Sequence, residues 1–211
     1  MKSETISSSG VLPLFAKQFI ANDAQIQKRV KELSLKIEHD YRGRVTPENP
    51  LVLICILKGS YIFTADLARS LRDVQVPNIV DFICVSSYGA NARSSGEVRM
   101  LLDLRTNVSG LHCLIVEDII DSALTLDFLH KMFSTRAPLS LKTICLLDKP
   151  AGRKIKFVVD YVGFEIPNEF VVGYGLDYNE QYRDLRDIVV LKPEVYESNV
   201  ALKPDTIPSK I

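Results

Sequence analysis

One segment of the chain places acidic and hydroxyl side chains directly after an apolar run. Its polar residues are, in order, Glu117, Asp118, Asp121, Ser122 and Thr125. The pattern predicts a buried strand that leads through a turn into a helix. A helix start offers unpaired N–H groups and the positive end of the helix dipole, so this segment is suited to holding a phosphate group. The carboxylates are then left for a metal ion, sugar hydroxyls or a proton. The alternative interpretation is an acidic loop before a capped helix.

The elements that would position this segment alternate along the chain. A continuous apolar run, typical of a strand buried on both faces, lies at residues 51–57. Further strands of the core are predicted at residues 79–85, 112–116 and 141–147. Shorter strands are predicted at residues 98–104, 157–164, 170–172 and 188–191. Amphipathic helices are predicted at residues 23–41, with Asp23 as the N-cap, 60–72 and 125–134. This alternation predicts an α/β fold with a parallel sheet, whose ligands bind at the carboxyl ends of the strands.

Length and charge restrict the classes of function. The 211 residues, 46% of them hydrophobic, are expected to form one domain over residues 1–211, with flexible tails at 1–22 and 198–211. Lys plus Arg and Asp plus Glu both number 26, so charge indicates neither nucleic acid nor a membrane surface as a partner. The longest apolar runs are far shorter than the ~20 residues that span a bilayer, and no secretory signal is expected.

The cysteines and histidines carry no recognisable ligand spacing. We expect reduced, buried thiols, which fits an intracellular compartment, at Cys55, Cys84, Cys113 and Cys145. We expect structural or exposed side chains at His39, His112 and His130.

Residues 114–125 resemble the signature with which phosphoribosyltransferases bind phosphoribosyl pyrophosphate (PRPP): an apolar run, two acids, two apolar residues, an acid and a hydroxyl-rich turn. Residues 57–60, 148–150 and 163–180 are similar, in the same order, to stretches of the hypoxanthine-guanine phosphoribosyltransferases. The likeness spans residues 25–192 and points to a protozoan branch of that family. It implies the type I phosphoribosyltransferase fold, with a parallel-sheet core, flanking helices and a small hood formed by the terminal segments.

The resemblance implies transfer of the phosphoribosyl group from PRPP to N9 of hypoxanthine or guanine, with pyrophosphate released. The 5′-phosphate would lie on Asp121, Ser122, Ala123, Leu124 and Thr125. The ribose hydroxyls and pyrophosphate would contact Glu117, Asp118, Lys58, Gly59 and Arg183, with a cis peptide bond before Lys58. Mg²⁺, the one cofactor implied, would be held by Glu117, Asp118 and, through water, Asp177. Asp121 is expected to act as the general base that accepts the N7 proton.

The resemblance also implies a base site and a lid. Lys149 would donate to the purine 6-oxygen, because an ammonium group selects a carbonyl over an amino group. The remaining base contacts would be a stacking ring, a backbone contact to the ring edge and the wall beside the 2-position: Phe170, Val171, and Leu176 with Asp177. Ser87 and Tyr88 lie in a loop, residues 86–96, that would close over the site and exclude water. An ordinary hairpin loop is the alternative.

The phosphate turn departs from the family pattern at two positions. Many members have Gly-Lys where this chain has Ala123-Leu124. The Cβ of Ala123 disfavours a positive φ, and the missing lysine removes one cation beside the phosphate. The turn is therefore expected to rely on backbone N–H groups and hydroxyls, and its affinity for PRPP is left open.

Two other functions are left open by the residues. One is a phosphoribosyltransferase specific for xanthine, and the other is a regulatory binding module that keeps the fold without catalysis. The joint presence of Asp121, Lys149, Asp177 and Arg183 speaks against the second, and no P-loop motif is present.

The assembly and the cellular location of the protein are expected from the resemblance and from the last three residues. The resemblance implies a homodimer or homotetramer that binds small-molecule substrates. Ser209-Lys210-Ile211 resembles the Ser-Lys-Leu peroxisomal address, which predicts a peroxisome-like microbody such as a glycosome. An ordinary solvated tail on a cytoplasmic enzyme is the alternative.

Overall fold

The computed structural model describes residues 11–87 and 98–197. In chain order the elements are β1 (Ala16–Ala21), α1 (Asp23–Tyr41), β2 (Leu51–Leu57), α2 (Tyr61–Asp73), β3 (Asn78–Ser87), β4 (Val98–Leu102), β5 (His112–Ile120), α3 (Leu124–Ser134), β6 (Ser140–Asp148), a 3₁₀ turn (Pro150–Gly152), β7 (Tyr161–Glu165), β8 (Val171–Val172), β9 (Ile188–Leu191) and α4 (Pro193–Glu197). No helix in these described ranges is long and apolar enough to cross a membrane.

Six strands form the larger sheet, in the order β4-β3-β2-β5-β6-β7. Every neighbouring pair is parallel except β3 and β4, which are antiparallel. In the register of the central strands, Cys55 of β2 lies between Phe82 of β3 and Val116 of β5. The predicted α/β class with a mostly parallel core sheet is confirmed.

Both faces of this sheet are covered by helices. On one face, Ile26 of α1 and Phe63 of α2 pack in one apolar cluster with Leu53 of β2. On the other face, Phe133 of α3 packs in a second cluster with Ile54. Successive side chains of a strand point to opposite faces, so a strand covered on both sides needs an unbroken apolar sequence. This is why residues 51–57 contain no polar side chain.

The smaller sheet is antiparallel, in the order β1-β9-β8, and forms the predicted hood. Here the structure corrects one expectation, because residues 16–21 were assigned to a flexible tail. They form β1 instead, with Ala16 paired to Leu191 and Ala21 paired to Ile188. Ala16, Val189 and Leu191 are buried together in a separate small core. That burial depends on a strand about 170 residues away in the sequence. The local sequence pattern therefore did not predict β1.

Other local predictions also need correction. Asn22, not Asp23, is the N-cap of α1: its side chain accepts from the backbone N–H of Gln25 at 2.9 Å, and the Gln25 side chain accepts from Asn22 N–H. The strand predicted at 157–164 begins only at Tyr161 and ends at Glu165, the strand predicted at 98–104 ends at Leu102, and α4 was not predicted.

Among the thiols and imidazoles, one prediction is wrong. Cys84 is only partly buried, because it lies in β3 beside the edge strand, whereas the other three cysteines are buried. His112 and His130 are structural as expected: their ring nitrogens lie 2.7 Å from Ser140 Oγ and 2.6 Å from Thr143 Oγ1.

Candidate active site

The phosphate-binding turn joins the end of β5 to the start of α3. Residues 121–123 form this turn, and a cavity of about 140 Å³ lies beside it, lined by Glu117, Asp121, Ser122, Ala123 and Thr125 among others. Ala123 occupies the N-cap position of α3, where its methyl group cannot accept a hydrogen bond. The N–H of Leu124 donates to Ser122 Oγ at 3.4 Å, and the N-cap side chain caps none of the first N–H groups, so this helix start suits an anion.

Ala123 takes the conformation that its side chain disfavours. Its φ is 64° and its ψ 4°, in the left-handed region. A residue with a Cβ holds this conformation at a cost of about 1–2 kcal/mol. The turn thus keeps the backbone shape that glycine would adopt freely.

Two carboxylates near the end of β5 are shielded from water, Glu117 almost fully and Asp118 in part. Glu117 is 9% exposed, and its Oε1 lies 3.3 Å from the backbone N of Asp118. Burial raises the pKa of Glu117 well above its ordinary value, and the neighbouring charge of Asp118 adds to this. Burial also raises the pKa of Asp118, although its hydrogen bonds and the charge of Arg183 act in the opposite direction. Desolvated carboxylate pairs of this kind are stabilised by a cation or by hydroxyl donors, so the donor set fits Mg²⁺ and ribose.

The turn after β2 lies directly against this carboxylate pair. A Cβ on Gly59 would overlap the carboxylate of Asp118, and a Cβ on Gly175 would overlap the carbonyl oxygen of Gly59. Gly175 has a φ of 101°, which an L side chain rarely adopts. Glycine at both positions allows the turn after β2 to contact both Asp118 of β5 and the segment at Gly175. The Leu57–Lys58 peptide bond is cis, as expected.

Arg183 holds the segment that carries Asp177. Its Nη2 lies 2.9 Å from Asp177 Oδ1 and 3.1 Å from Glu180 Oε2, and its Nη1 donates to Gly175 O at 2.8 Å. Its Nε is buried and has no hydrogen-bond partner within residues 11–87 and 98–197. An unpaired guanidinium donor beside the buried carboxylates fits a pyrophosphate oxygen.

Glu180 connects the side chains of Lys58 and Arg183, two residues that are predicted to contact pyrophosphate. Lys58 Nζ lies 3.0 Å from Glu180 Oε1, and Arg183 contacts the other carboxylate oxygen. Hydrogen bonds from Lys58 and Arg183 lower the pKa of Glu180. Glu180 belongs to the family-like stretch 163–180, but sequence reasoning assigned it no role.

Lys149 begins the base side of the site and is joined to the phosphate side through its backbone. Lys149 is 8% exposed as a residue, and its backbone N–H donates to Ile120 O at 2.9 Å. Burial lowers the pKa of Lys149, and the charges of Asp121 and Glu169 partly oppose this. The predicted donor and the predicted general base therefore lie within electrostatic reach of each other.

Phe170 presents an exposed ring, 40% accessible, on the same side. The ring stacks on Tyr196 of α4 with centroids 5.2 Å apart, and it meets the edge of Tyr178 at 5.7 Å. Val171 lies in β8, and Leu176 is buried after it. Sequence reasoning missed Tyr196, because α4 is a single short turn without a periodic pattern.

Sequence reasoning also missed Arg153 and Gly152. Arg153 Nη1 donates to Ile120 O at 3.0 Å and to Asp121 O at 2.9 Å, and a Cβ on Gly152 would overlap Asp121 Oδ1. In the sequence, these two residues follow shortly after the family-like Asp-Lys-Pro stretch. A glycine and an arginine in such a position are typical of an exposed basic turn.

Part of the predicted site lies outside the described residues. Ser87 is the last residue of β3, and Tyr88 falls beyond it, so the lid stays a prediction. Within residues 11–87 and 98–197, no group of three or more His, Cys, Asp or Glu side chains is arranged to hold a metal ion. Any Mg²⁺ here would need oxygens from the substrate or water as well.

Comparison with known proteins places this site in a family. Residues 20–179 match the model of the phosphoribosyl transferase domain, and the chain belongs to the phosphoribosyltransferase family. Among its relatives, the hypoxanthine-guanine phosphoribosyltransferase of Leishmania donovani is 53% identical over 186 residues, which is 88% of each chain. The Bacillus subtilis enzyme of the same name is 48% identical over 86% of this chain and 97% of its own.

Solved structures give the same result. A Trypanosoma cruzi hypoxanthine phosphoribosyl transferase, studied for the role of its C-terminal region in oligomeric state and activity, superposes with a TM-score of 0.87 at 55% identity, over 91% of this chain and 100% of its own. A complex of the T. cruzi enzyme with the product IMP gives a TM-score of 0.84 at 56% identity, over 88% and 100% of the two chains. The resemblance and its protozoan character are confirmed.

Proposed function

We propose that this chain is a purine salvage enzyme that transfers the 5-phosphoribosyl group from PRPP to N9 of hypoxanthine or guanine. The products are IMP or GMP and pyrophosphate. One observation carries the proposal: the backbone of the buried Lys149 is hydrogen-bonded to Ile120, next to the phosphate turn. The proposed hydrogen-bond donor to the base, Lys149, and the proposed phosphate-binding turn thus lie side by side at the ends of the adjacent strands β6 and β5.

On the PRPP side, we assign the anions to hydrogen-bond donors of two turns and of Arg183. The N–H groups at the start of α3, with Ser122 and Thr125, bind the 5′-phosphate. Glu117 and Asp118 accept hydrogen bonds from the ribose hydroxyls. Arg183 and the backbone of Lys58 and Gly59 donate to pyrophosphate, and Glu180 releases the two cations when that anion binds.

Mg²⁺ is the cofactor that we infer. Glu117 and Asp118 would hold it through ribose oxygens or water, with Asp177 in the outer shell, which suits the preference of Mg²⁺ for oxygen ligands and retained water. When bound, the ion neutralises charge on the departing pyrophosphate. The buried carboxylates with raised pKa support this assignment, because a cation offsets the cost of their desolvation.

The transfer itself needs a proton acceptor beside the base. As the bond from C1 to pyrophosphate lengthens, C1 gains oxocarbenium character, as in glycosyl transfer generally. N9 of the base attacks C1, and Asp121 takes the proton from N7. Phe170 holds the flat base by stacking, with Tyr178 and Tyr196 supporting its ring. Closure of the loop with Ser87 and Tyr88 would exclude water from C1.

A base-panel assay tests the function. The purified chain, PRPP and Mg²⁺ are incubated separately with hypoxanthine, guanine, xanthine and adenine, and the nucleotide formed is quantified by chromatography. We expect IMP and GMP and almost no AMP. Turnover of xanthine alone would favour the xanthine-specific alternative. PRPP binding without turnover of any base would favour the regulatory module.

Assembly and location complete the proposal. We infer a homodimer or homotetramer. Membership of the family supports this, as does the T. cruzi relative, whose C-terminal region was studied for its role in oligomeric state. Light scattering on the eluting protein tests this, and a monomer at assay concentration would contradict it. We also propose import into a peroxisome-like microbody, on the strength of Ser209-Lys210-Ile211, which lies outside the described residues. A fluorescent fusion with residues 201–211 that stayed diffuse in the cytosol would contradict that.

A further inference from the structure

The connection from β6 to β7 begins with a segment that packs against the back of the phosphate turn. This segment, residues 150–154, is called the brace below. Its 3₁₀ turn follows Lys149 directly, and Gly152 N–H donates to Lys149 O at 3.0 Å. Lys154 N–H donates to Ser122 O at 3.2 Å. The brace therefore bonds on one side to the base-binding lysine and on the other to the phosphate turn.

Arg153 makes the most contacts of the brace with this turn. Its Nη1 donates both to Ile120 O at 3.0 Å and to Asp121 O at 2.9 Å. Its Nη2 forms an ion pair with Asp148, the last residue of β6. The two side chains are 16% and 14% exposed, so the pair is shielded from solvent and salt. One planar guanidinium thus joins the ends of β5 and β6, the two strands that lead into the phosphate turn and the base-binding lysine.

Gly152 adds a contact with the predicted general base itself. A Cβ at this position would overlap Oδ1 of Asp121. The carboxylate of Asp121 therefore lies directly against the brace. Its backbone carbonyl is held by Arg153, and its side chain is bounded by Gly152.

Asp121 is otherwise poorly constrained. It is exposed, and it lies in a turn whose next residue but one, Ala123, has a φ of 64°. A general base contributes fully only when it is held within hydrogen-bond reach of the proton it accepts, and a misplacement of about 1 Å costs up to ~100-fold in rate. The contacts from the brace supply this constraint.

We propose that Arg153 is a positioning residue for the transfer reaction, acting through Asp121. The inference rests on the proposed function and deepens it. We assign Arg153 no contact with either substrate. It fixes the backbone of Asp121 and keeps the phosphate turn in register with Asp148 and Lys149, so that the base and C1 of the ribose meet in a reactive geometry.

The first test separates kcat from KM. Arg153→Met removes the donors, and Arg153→Lys keeps a cation for Asp148 but loses the planar fork that spans two carbonyl groups. We expect kcat for hypoxanthine to fall by about 10- to 100-fold in the Met variant and by less in the Lys variant, with little change in KM for PRPP. Arg136→Met is the matched control, because Arg136 also forms a two-bond pair with an aspartate, Asp103, in another part of the protein.

The second test asks whether the effect passes through Asp121. Arg153→Met is combined with Asp121→Asn, and kcat is measured for both single variants and the double variant. If Arg153 acts by placing Asp121, the two losses do not multiply, and the double variant is about as slow as Asp121→Asn alone. Losses that multiply in full would overturn the proposal.

The effect of each substitution on protein stability is measured separately. Arg153→Met leaves Asp148 without its cation, so melting temperatures are measured for every variant. If the Met variant does not fold, Arg153→Met with Asp148→Asn removes the unpaired charge, and Arg153→Lys carries the same test.

The outcomes are distinct. A wild-type protein that fails to convert hypoxanthine overturns the proposed function. An active wild type whose Arg153 variants match Arg136→Met in kcat overturns only the positioning role.

Discussion

Replacing Lys149 with alanine is expected to change which bases the enzyme uses. Lys149 is 8% exposed as a residue, so little water would compete with a bond from its ammonium group to the purine 6-oxygen. Hydrogen bonds of charged groups contribute about 1.5–3 kcal/mol, and every ~1.4 kcal/mol is a factor of ten. Lys149→Ala should therefore lower kcat/KM for hypoxanthine and guanine by about 10- to 150-fold.

The same prediction covers discrimination against adenine, where the expected effect is larger. Its 6-amino group donates, so it would face another donor, and the buried ammonium would lose its partner. Sites built to bond a substrate group reject analogues without that partner by ~10⁴-fold or more. The wild type should discriminate against adenine by that order. The ratio of hypoxanthine to adenine use should shrink in Lys149→Ala, because the variant has no ammonium group to leave unpaired.

The assay is kcat/KM for hypoxanthine, guanine and adenine in the wild type and in Lys149→Ala. Lys156→Ala, a nearby exposed lysine, serves as the control and should behave as wild type. KM for PRPP should stay nearly constant in all three proteins, since Lys149 is assigned to the base. Comparable use of adenine and hypoxanthine by the wild type would refute both the role of Lys149 and the 6-oxopurine assignment.

Three further expectations follow from single residues. Asp121→Asn keeps the shape of the side chain but removes the proton acceptor, so kcat should fall by about 10²- to 10⁴-fold with PRPP affinity largely kept; turnover near wild type would exclude Asp121 as the base. Ala123→Gly relieves the cost of a φ of 64° and should raise the free energy of unfolding by up to about 1 kcal/mol in urea titrations. Ala137→Gly, at a φ of 53° outside the phosphate turn, should give a similar gain. Burial lowers the pKa of His130 below 6.5, so the unfolded state binds more protons there and stability falls as pH drops below about 6.5, by at most ~1.4 kcal/mol per pH unit. His130→Gln should reduce that slope in urea titrations between pH 7 and 5, and an unchanged slope would show that His130 does not contribute.

Local sequence determined most of the elements and the chemistry-bearing turn. The unbroken apolar residues 51–57, flanked by Pro50 and Gly59, predicted a strand covered on both faces, and β2 is that strand. The acids and hydroxyls of residues 117–125 were recognisable because strand, turn and helix follow one another without a gap. The strand and the turn could be predicted because both depend on periodicity and on neighbouring residues, which can be seen in the sequence itself.

The tertiary structure decided what joins these segments. Residues 16–21 became a strand because β9, about 170 residues later, supplies partners and a small core. The predicted contacts of Asp121 and Lys149 were separate assignments, and the bonds of Arg153 to Ile120, Asp121 and Asp148 tie them into one unit. Arg153 carries no local mark of this role, since an arginine in a polar turn is usually solvated. Its function follows from burial and from carbonyl groups that only folding brings within reach, and residue spacing does not encode such distances.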